Sequence, residues 1–361
     1  MTGIELAGRF YRSVVGPLLA GQPHAAALLG PGSEVLGYDD EVSTDHDFGP
    51  RLQLFLPPGT DPDPVRALLD RLPERFDGYP VTFPARAPGA DGPPGRPGHR
   101  VLVDTAPDYF TARLGVDPAA GMALADWLLT PTQQLAALTR GAVFHDPADE
   151  LGVRRRALRW YPPDVWRYAL AAGWLRVGQA EAFVGRTGGT GDDLGSRLLA
   201  GRIARDLVRL SFLVARVWAP YDKWLGRAFR ELAVATALDP PLRAALAAAD
   251  WREREAALCA AASGLAAATN ELRLADPVDP APRRFHDRDI RVLGAERFTT
   301  ALTGSIVDPQ VRALLTRLGG RPDGSVPALP GTIDQAVDSV DVLTHPARCR
   351  AAAGLLGLPL V

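Results

Sequence analysis

A chain of 361 residues is long enough for two domains, or for one large domain with an extension. A hydrophobic fraction of 47% provides for a sizeable core, and a formal charge of −2 gives no overall field to draw nucleic acid or a membrane surface. Neither DNA nor a membrane is therefore an expected partner, although a local basic cleft remains open. Cys259 and Cys349 match no metal-ligand spacing and imply no disulfide framework. No apolar run has the length of a membrane span and MTGIELAGRFYRSVV does not read as a signal peptide, so a cytoplasmic protein is expected.

Apolar residues Ile4, Leu6, Phe10, Val14, Leu18 and Leu19 recur at nearly helical spacing and predict a helix over residues 3 to 20. Ala26 to Leu29 reads as a short buried strand. It breaks at Gly30-Pro31-Gly32-Ser33, where glycine lets backbone approach a ligand. An acidic loop follows (Asp39, Asp40, Glu41), then Asp45-His46-Asp47, and Arg51 to Leu56 resumes strand alternation. With a period of two, Asp45 and Asp47 project from one side and His46 from the other. Two close carboxylates repel unless a cation lies between them, and Mg²⁺ favours carboxylates combined with substrate phosphates. Backbone N–H groups and the hydroxyl of Gly32-Ser33 suit phosphate oxygens. A solvated acidic turn is the alternative. Two other Asp-x-Asp pairs, Asp61/Asp63 and Asp287/Asp289, lack this setting: one lies among prolines, the other encloses Arg288.

Further along, residues 61 to 75 predict an amphipathic helix, Val81 to Phe83 a short strand, and Ala85 to Gly98 a Pro/Gly-rich loop. His99 to Thr105 is an apolar strand ending in Asp104, followed by a helix over 107 to 114 that Asp104 or Asp108 could cap. Helices are expected at 127 to 129 and 133 to 138, with a last core strand at Ala142 to Phe144. His145 reads as a packed side chain.

From Leu151 the patterns turn helical. Pro163 to Phe183 carries an aromatic stripe typical of core. Gly185 to Gly191, GRTGGTG, lacks both the Gly-Lys-Ser/Thr ending and the preceding strand of a phosphate loop, and reads as an interhelical loop, with Arg186 a candidate to face a triphosphate. Asp192 is a good N-cap for a helix running to Trp218. On it Arg202, Arg205, Arg209 and Arg216 share roughly one face. Tyr221 and Lys223 follow at its end. Of 40 Lys and Arg residues, Lys223 is the one lysine, a compact charge suited to a single phosphate oxygen where guanidinium is a planar fork. Leu225 to Leu238, Leu242 to Ala247 and Trp251 to Leu272 are further helices. Residues 276 to 282 break the pattern, and residues 306 to 318 and 333 to 340 resume it.

Gly32-Ser33, the spacer and Asp45-x-Asp47 resemble the signature of the polymerase-beta-like nucleotidyltransferase superfamily. GSEVLGYDDEVSTDHDFGPRLQLFL, GDDLGSRL, APYDKWLG and FHDRDIRVL resemble, within it, the bacterial domain-of-unknown-function family 4037. The resemblance implies an α+β fold: a nucleotidyltransferase-like mixed-sheet core over residues 1–150, flanked by helices, then an all-helical domain over 151–361 that closes the nucleotide and acceptor cleft. It implies a third acidic residue on a neighbouring strand, matched by Asp104, as metal ligand or base. Asp45, Asp47 and Asp104 would then hold two Mg²⁺ ions and carry the chemistry, while Gly32, Ser33, Lys223, Tyr221 and Arg186 bind the nucleoside triphosphate. The expected reaction moves a nucleoside monophosphate from an NTP, ATP foremost, to an acceptor hydroxyl on a small molecule, a protein or RNA, releasing pyrophosphate. The alternative is a non-catalytic nucleotide-binding regulator or antitoxin-like partner.

Overall fold

A computed structural model describes residues 1–40, 49–83, 98–321 and 328–359. It is a mixed α+β protein that divides into two compact units, Met1–Met122 with Gln133–Arg159, and Ala123–Thr132 with Trp160–Val361. Among the described residues no helix is long and apolar enough to cross a membrane.

The first unit begins with α1 (Gly3–Phe10), started by a capping box between Thr2 and Glu5 and continued by a π-helical stretch, Tyr11–Val15. The next elements are β1 (Ala25–Leu28), α2 (Ser33–Leu36), β2 (Arg51–Leu56), β3 (Thr82–Phe83), β4 (Gly98–Thr105), α3 (Ala106–Leu114) and β5 (Ala142–His145). These five strands form one mixed sheet in the order β3-β4-β2-β1-β5, and Arg75–Phe76 with Tyr79–Pro80 make a separate short hairpin. β1 runs antiparallel to both β2 and β5, and β2 is parallel to β4. Leu52, Leu54 and Leu56 of β2 and Val101 of β4 share a face and pack on Phe10, Val15 and Leu19. Strand alternation thereby sends Gln53 and Phe55 to the opposite face. There buried Gln53 donates to the Leu29 carbonyl (3.1 Å) and accepts from its N–H (2.8 Å), pinning the chain as it leaves β1.

The second unit is built on α4 (Pro163–Gly188) and α5 (Asp193–Ala215), followed by α6 (Asp222–Phe229), α7 (Ala235–Ala247), α8 (Trp251–Glu271), α9 (Glu296–Gly304) and α10 (Pro309–Arg317). Its core includes a ring cluster in which Trp160 stacks on Trp218 at 4.3 Å and Tyr161 meets Trp218 edge-on at 4.6 Å. The expected all-helical character needs correction, because Arg283–Arg284 and Arg291–Val292 form a short antiparallel hairpin. The expected interhelical loop at GRTGGTG is corrected in its first part, since α4 continues through Gly188 and only Gly189–Gly191 form the turn to the next helix. A Cβ at Gly188 would overlap Trp251, and one at Gly185 would press on Glu255 and Ile290. These glycines serve close packing within a helix, not a turn. Pro240 and Pro241 likewise lie inside α7 where the sequence reads as a break.

Candidate active site

The Gly-Ser turn stands where β1 ends. Gly30 leaves the strand with φ +90° and donates its N–H to Ala137 (2.9 Å). Gly32 caps α2 with φ 141° and ψ 144°, a conformation open essentially to glycine alone. A Cβ there would run into the Arg51 guanidinium and the Glu34 carboxylate. Arg51, the first residue of β2, donates Nε to Glu34 (2.5 Å) and Nη2 to the Pro31 carbonyl (2.6 Å). The turn is thus stapled to the neighbouring strand, and the charge of Glu34 is neutralised. What remains for a ligand is the start of α2, whose first N–H groups have no partner within the helix, and the half-buried Ser33.

Asp39 belongs to the same end of the unit. Its Oδ2 accepts the Gly3 N–H at 2.6 Å, while its Oδ1 is buried without a hydrogen-bond partner. An unmatched, buried carboxylate oxygen suits a hard cation such as Mg²⁺. In the sequence Asp39 is only one member of an acidic run; its burial beside Gly3 comes from the packing of α1 on the turn.

Asp45 and Asp47 lie outside the described residues. Among the described residues no three His, Cys, Asp or Glu side chains gather as metal ligands.

Asp104, the expected third carboxylate, lies on β4, and its separation from Asp45 and Asp47 falls outside the described residues. In the parallel register Arg51 is level with Arg100, and Phe55 with Asp104. Asp104 therefore sits about 13 Å further along the sheet than the Arg51 row, at 3.3 Å per residue. Arg51 touches the turn, and Asp104 stands at the opposite end of β4. Asp104 accepts the N–H of Thr105 at 2.8 Å, and burial raises its carboxyl above the usual range against that bond. The cap of α3 is Thr105, neither Asp104 nor Asp108.

The remaining candidates belong to the second unit. Tyr221 precedes α6 and its hydroxyl accepts from Trp224 Nε1 (2.8 Å); exposed Lys223 holds Nζ 4.9 Å from the Trp224 ring. Both therefore gather at one indole. Arg186 does not join them. It occupies the last turn of α4, close to the start of α5, whereas Asp222 pairs with Arg205 (2.9 Å) and Arg209 (3.1 Å), about 20 Å along α5 at 1.5 Å per residue.

In comparisons with known proteins, residues 127–225 match a family described as "Domain of unknown function (DUF4037)". Over that stretch the resemblance to DUF4037 holds. The DUF4037 segment takes in GDDLGSRL and all but the last residue of APYDKWLG, and excludes Gly32-Ser33 and FHDRDIRVL. The crystal structure of a nucleotidyltransferase-like protein from Exiguobacterium sibiricum 255-15 aligns over 85% of this chain and 92% of its own, at 14% identity and a TM-score of 0.31. No curated protein matches the chain.

Proposed function

We propose that the chain is a Mg²⁺-dependent nucleotidyltransferase whose triphosphate site is the Gly32-Ser33 turn. The observation that supports this reading is the backbone of Gly32. A buried strand delivers a glycine-only conformation to the start of a helix, and Arg51 fixes the turn from the next strand. Such a turn brings N–H groups within reach of phosphate oxygens, which a side chain at residue 32 would prevent.

In this mechanism Ser33 holds a phosphate oxygen through N–H and Oγ, and Arg51 keeps the turn in place by holding Pro31 and Glu34. Asp45 and Asp47, with Asp39 Oδ1 in support, would hold Mg²⁺. The bound cation supplies neutralisation of the triphosphate and acidity for the incoming hydroxyl. The acceptor hydroxyl gives up its proton to solvent as its oxygen forms the bond to the α-phosphorus, the bond from that phosphorus to the bridging oxygen breaks, and pyrophosphate leaves with the electron pair. Asp104 has no part in it.

Isothermal titration of the full chain with ATP and MgCl₂ tests the reading. Saturable, Mg²⁺-dependent binding is expected, lost in Asp45→Ala and retained in Asp104→Asn. Binding that is unchanged in Asp45→Ala would remove the metal assignment. Loss in Asp104→Asn at an unchanged melting temperature would restore the trio. A pyrophosphate assay then separates a transferase from a nucleotide-binding regulator.

A further inference from the structure

The helical unit contains an open cleft with a wall that includes Thr132, Tyr161, Arg176, Asp206, Arg209 and Gln335. Apart from Thr332, Asp334 and Gln335, its lining lies within the DUF4037 segment. Most polar groups in the wall are matched. Asp334 accepts from the Thr132 N–H (2.9 Å) and hydroxyl (3.2 Å), and Gln335 donates to Ala169 (2.9 Å). Arg176 donates to Asp206 Oδ1 (3.2 Å) and to the Gln335 carbonyl (2.6 Å).

Three lining residues break this pattern. Tyr161 Oη, Asp206 Oδ2 and Arg209 Nε are buried and have no hydrogen-bond partner. Tyr161 and Asp206 are only 4% and 6% exposed. Leaving a buried polar atom unmatched is unfavourable, so three around one cleft point to a missing partner.

The chemistry of the three narrows that partner. Asp206 Oδ2, which meets Arg202 Nε only as an ion pair at 4.0 Å, needs a donor, Arg209 Nε–H needs an acceptor, and Tyr161 Oη takes either. Burial and the Asp334 carboxylate keep the Tyr161 hydroxyl protonated. A further anion is not called for, because the guanidiniums already meet carboxylates: Arg176 meets Asp206, Arg205 meets Asp222 and Asp338, and Arg209 meets Asp222. A nucleobase finds no open ring to stack on, since Tyr161 and Phe212 are 4% and 1% exposed. A hydroxyl both donates and accepts, and Leu210, Leu213 and Val217 in the lining suit the C–H face of a saturated ring. We propose that this cleft binds a neutral, monosaccharide-sized polyhydroxylated molecule, a sugar or cyclitol, through Tyr161, Asp206 and Arg209. This is independent of the transferase reading, because binding is measured without nucleotide.

The test uses the full chain with D-glucose, myo-inositol and inorganic phosphate as probes, read by titration calorimetry and saturation-transfer NMR. Saturable binding of glucose or inositol is expected, weakened at least tenfold in Tyr161→Phe and in Asp206→Asn. Tyr161→Phe should melt no lower than the parent, since it deletes a buried hydroxyl that has no partner in the free protein. A merely structural role for that hydroxyl would lower the melting point and leave affinity alone. Failure of both polyols to bind at millimolar concentration overturns the proposal. Binding of phosphate in their place, or polyol binding untouched by both substitutions, overturns it equally.

Discussion

Gly32 shows how far one residue can be read. In the sequence it is a glycine in a turn; in the fold its φ of 141° excludes every other side chain, and the space a Cβ would need is filled by Arg51 and Glu34. Gly32→Ala should therefore cost about 1–3 kcal/mol from backbone strain and displace Arg51. Urea melts should show the lower midpoint, and titration with ATP and Mg²⁺ should show binding lost while the circular dichroism stays native. An alanine variant as stable as the parent would mean the conformation is not required. The pairing of Gly32 with Ser33 was legible in the sequence because turn chemistry is local. The place of Asp104 was not, because a parallel register depends on long-range strand pairing that no spacing along the chain reveals.

At the scale of elements, the start of α5 followed from Asp192, whose side chain accepts the Gly195 N–H at 2.8 Å. Its end did not: Arg216 turns left-handed (φ 56°), closes the helix after Ala215 and places its guanidinium 5.1 Å from the Trp166 ring. The arginine face read from spacing is therefore divided, with Arg205 and Arg209 committed to carboxylates and Arg216 outside the helix. A sharper case is Arg254 of α8, which composition does not mark at all. It is 1% exposed and donates to Ser196 Oγ (2.6 Å), Asp193 Oδ1 (2.9 Å) and the Ala248 carbonyl (3.2 Å), joining α8 to the first turn of α5. Arg254→Ala removes a buried cation and leaves a void, with an expected loss of about 3–5 kcal/mol. Chemical denaturation should register that as a large drop in midpoint; a change below about 1 kcal/mol would mean that the site repacks.

Across the molecule, half-buried Glu181 and buried Glu255 explain a segment whose role the sequence left open. Glu181 accepts the N–H groups of Leu293 (2.7 Å), Gly294 (3.2 Å) and Ala295 (2.9 Å), and Glu255 accepts that of Arg291 (2.9 Å). FHDRDIRVL is in this way the outer part of a hairpin tied to α4 and α8. Burial outweighs the three N–H donors and pushes the Glu181 carboxyl up to about 7 from an ordinary 4.5. A carboxyl raised in the folded state contributes stability that is complete below 4.5 and lost as pH climbs through 7. The melting temperature of the second unit should accordingly fall between about pH 5 and 8, and Glu181→Gln should flatten that fall. A parent profile that is level or rising over this window would contradict the assignment.

The sequence by itself determined the elements whose causes are local: the strand Arg51–Leu56, the Gly-Ser turn, the capped helix from Asp192, and the mixed α+β class. Each follows from a periodicity, a cap or a turn residue acting within a few positions. Tertiary structure alone decided which distant residues meet. It carried α4 through its glycines against Trp251, separated Asp104 from the turn by four rows of the sheet, and enclosed Tyr161, Asp206 and Arg209 around one cleft. Burial and strand register arise from packing between segments far apart in the chain, and no local pattern encodes them.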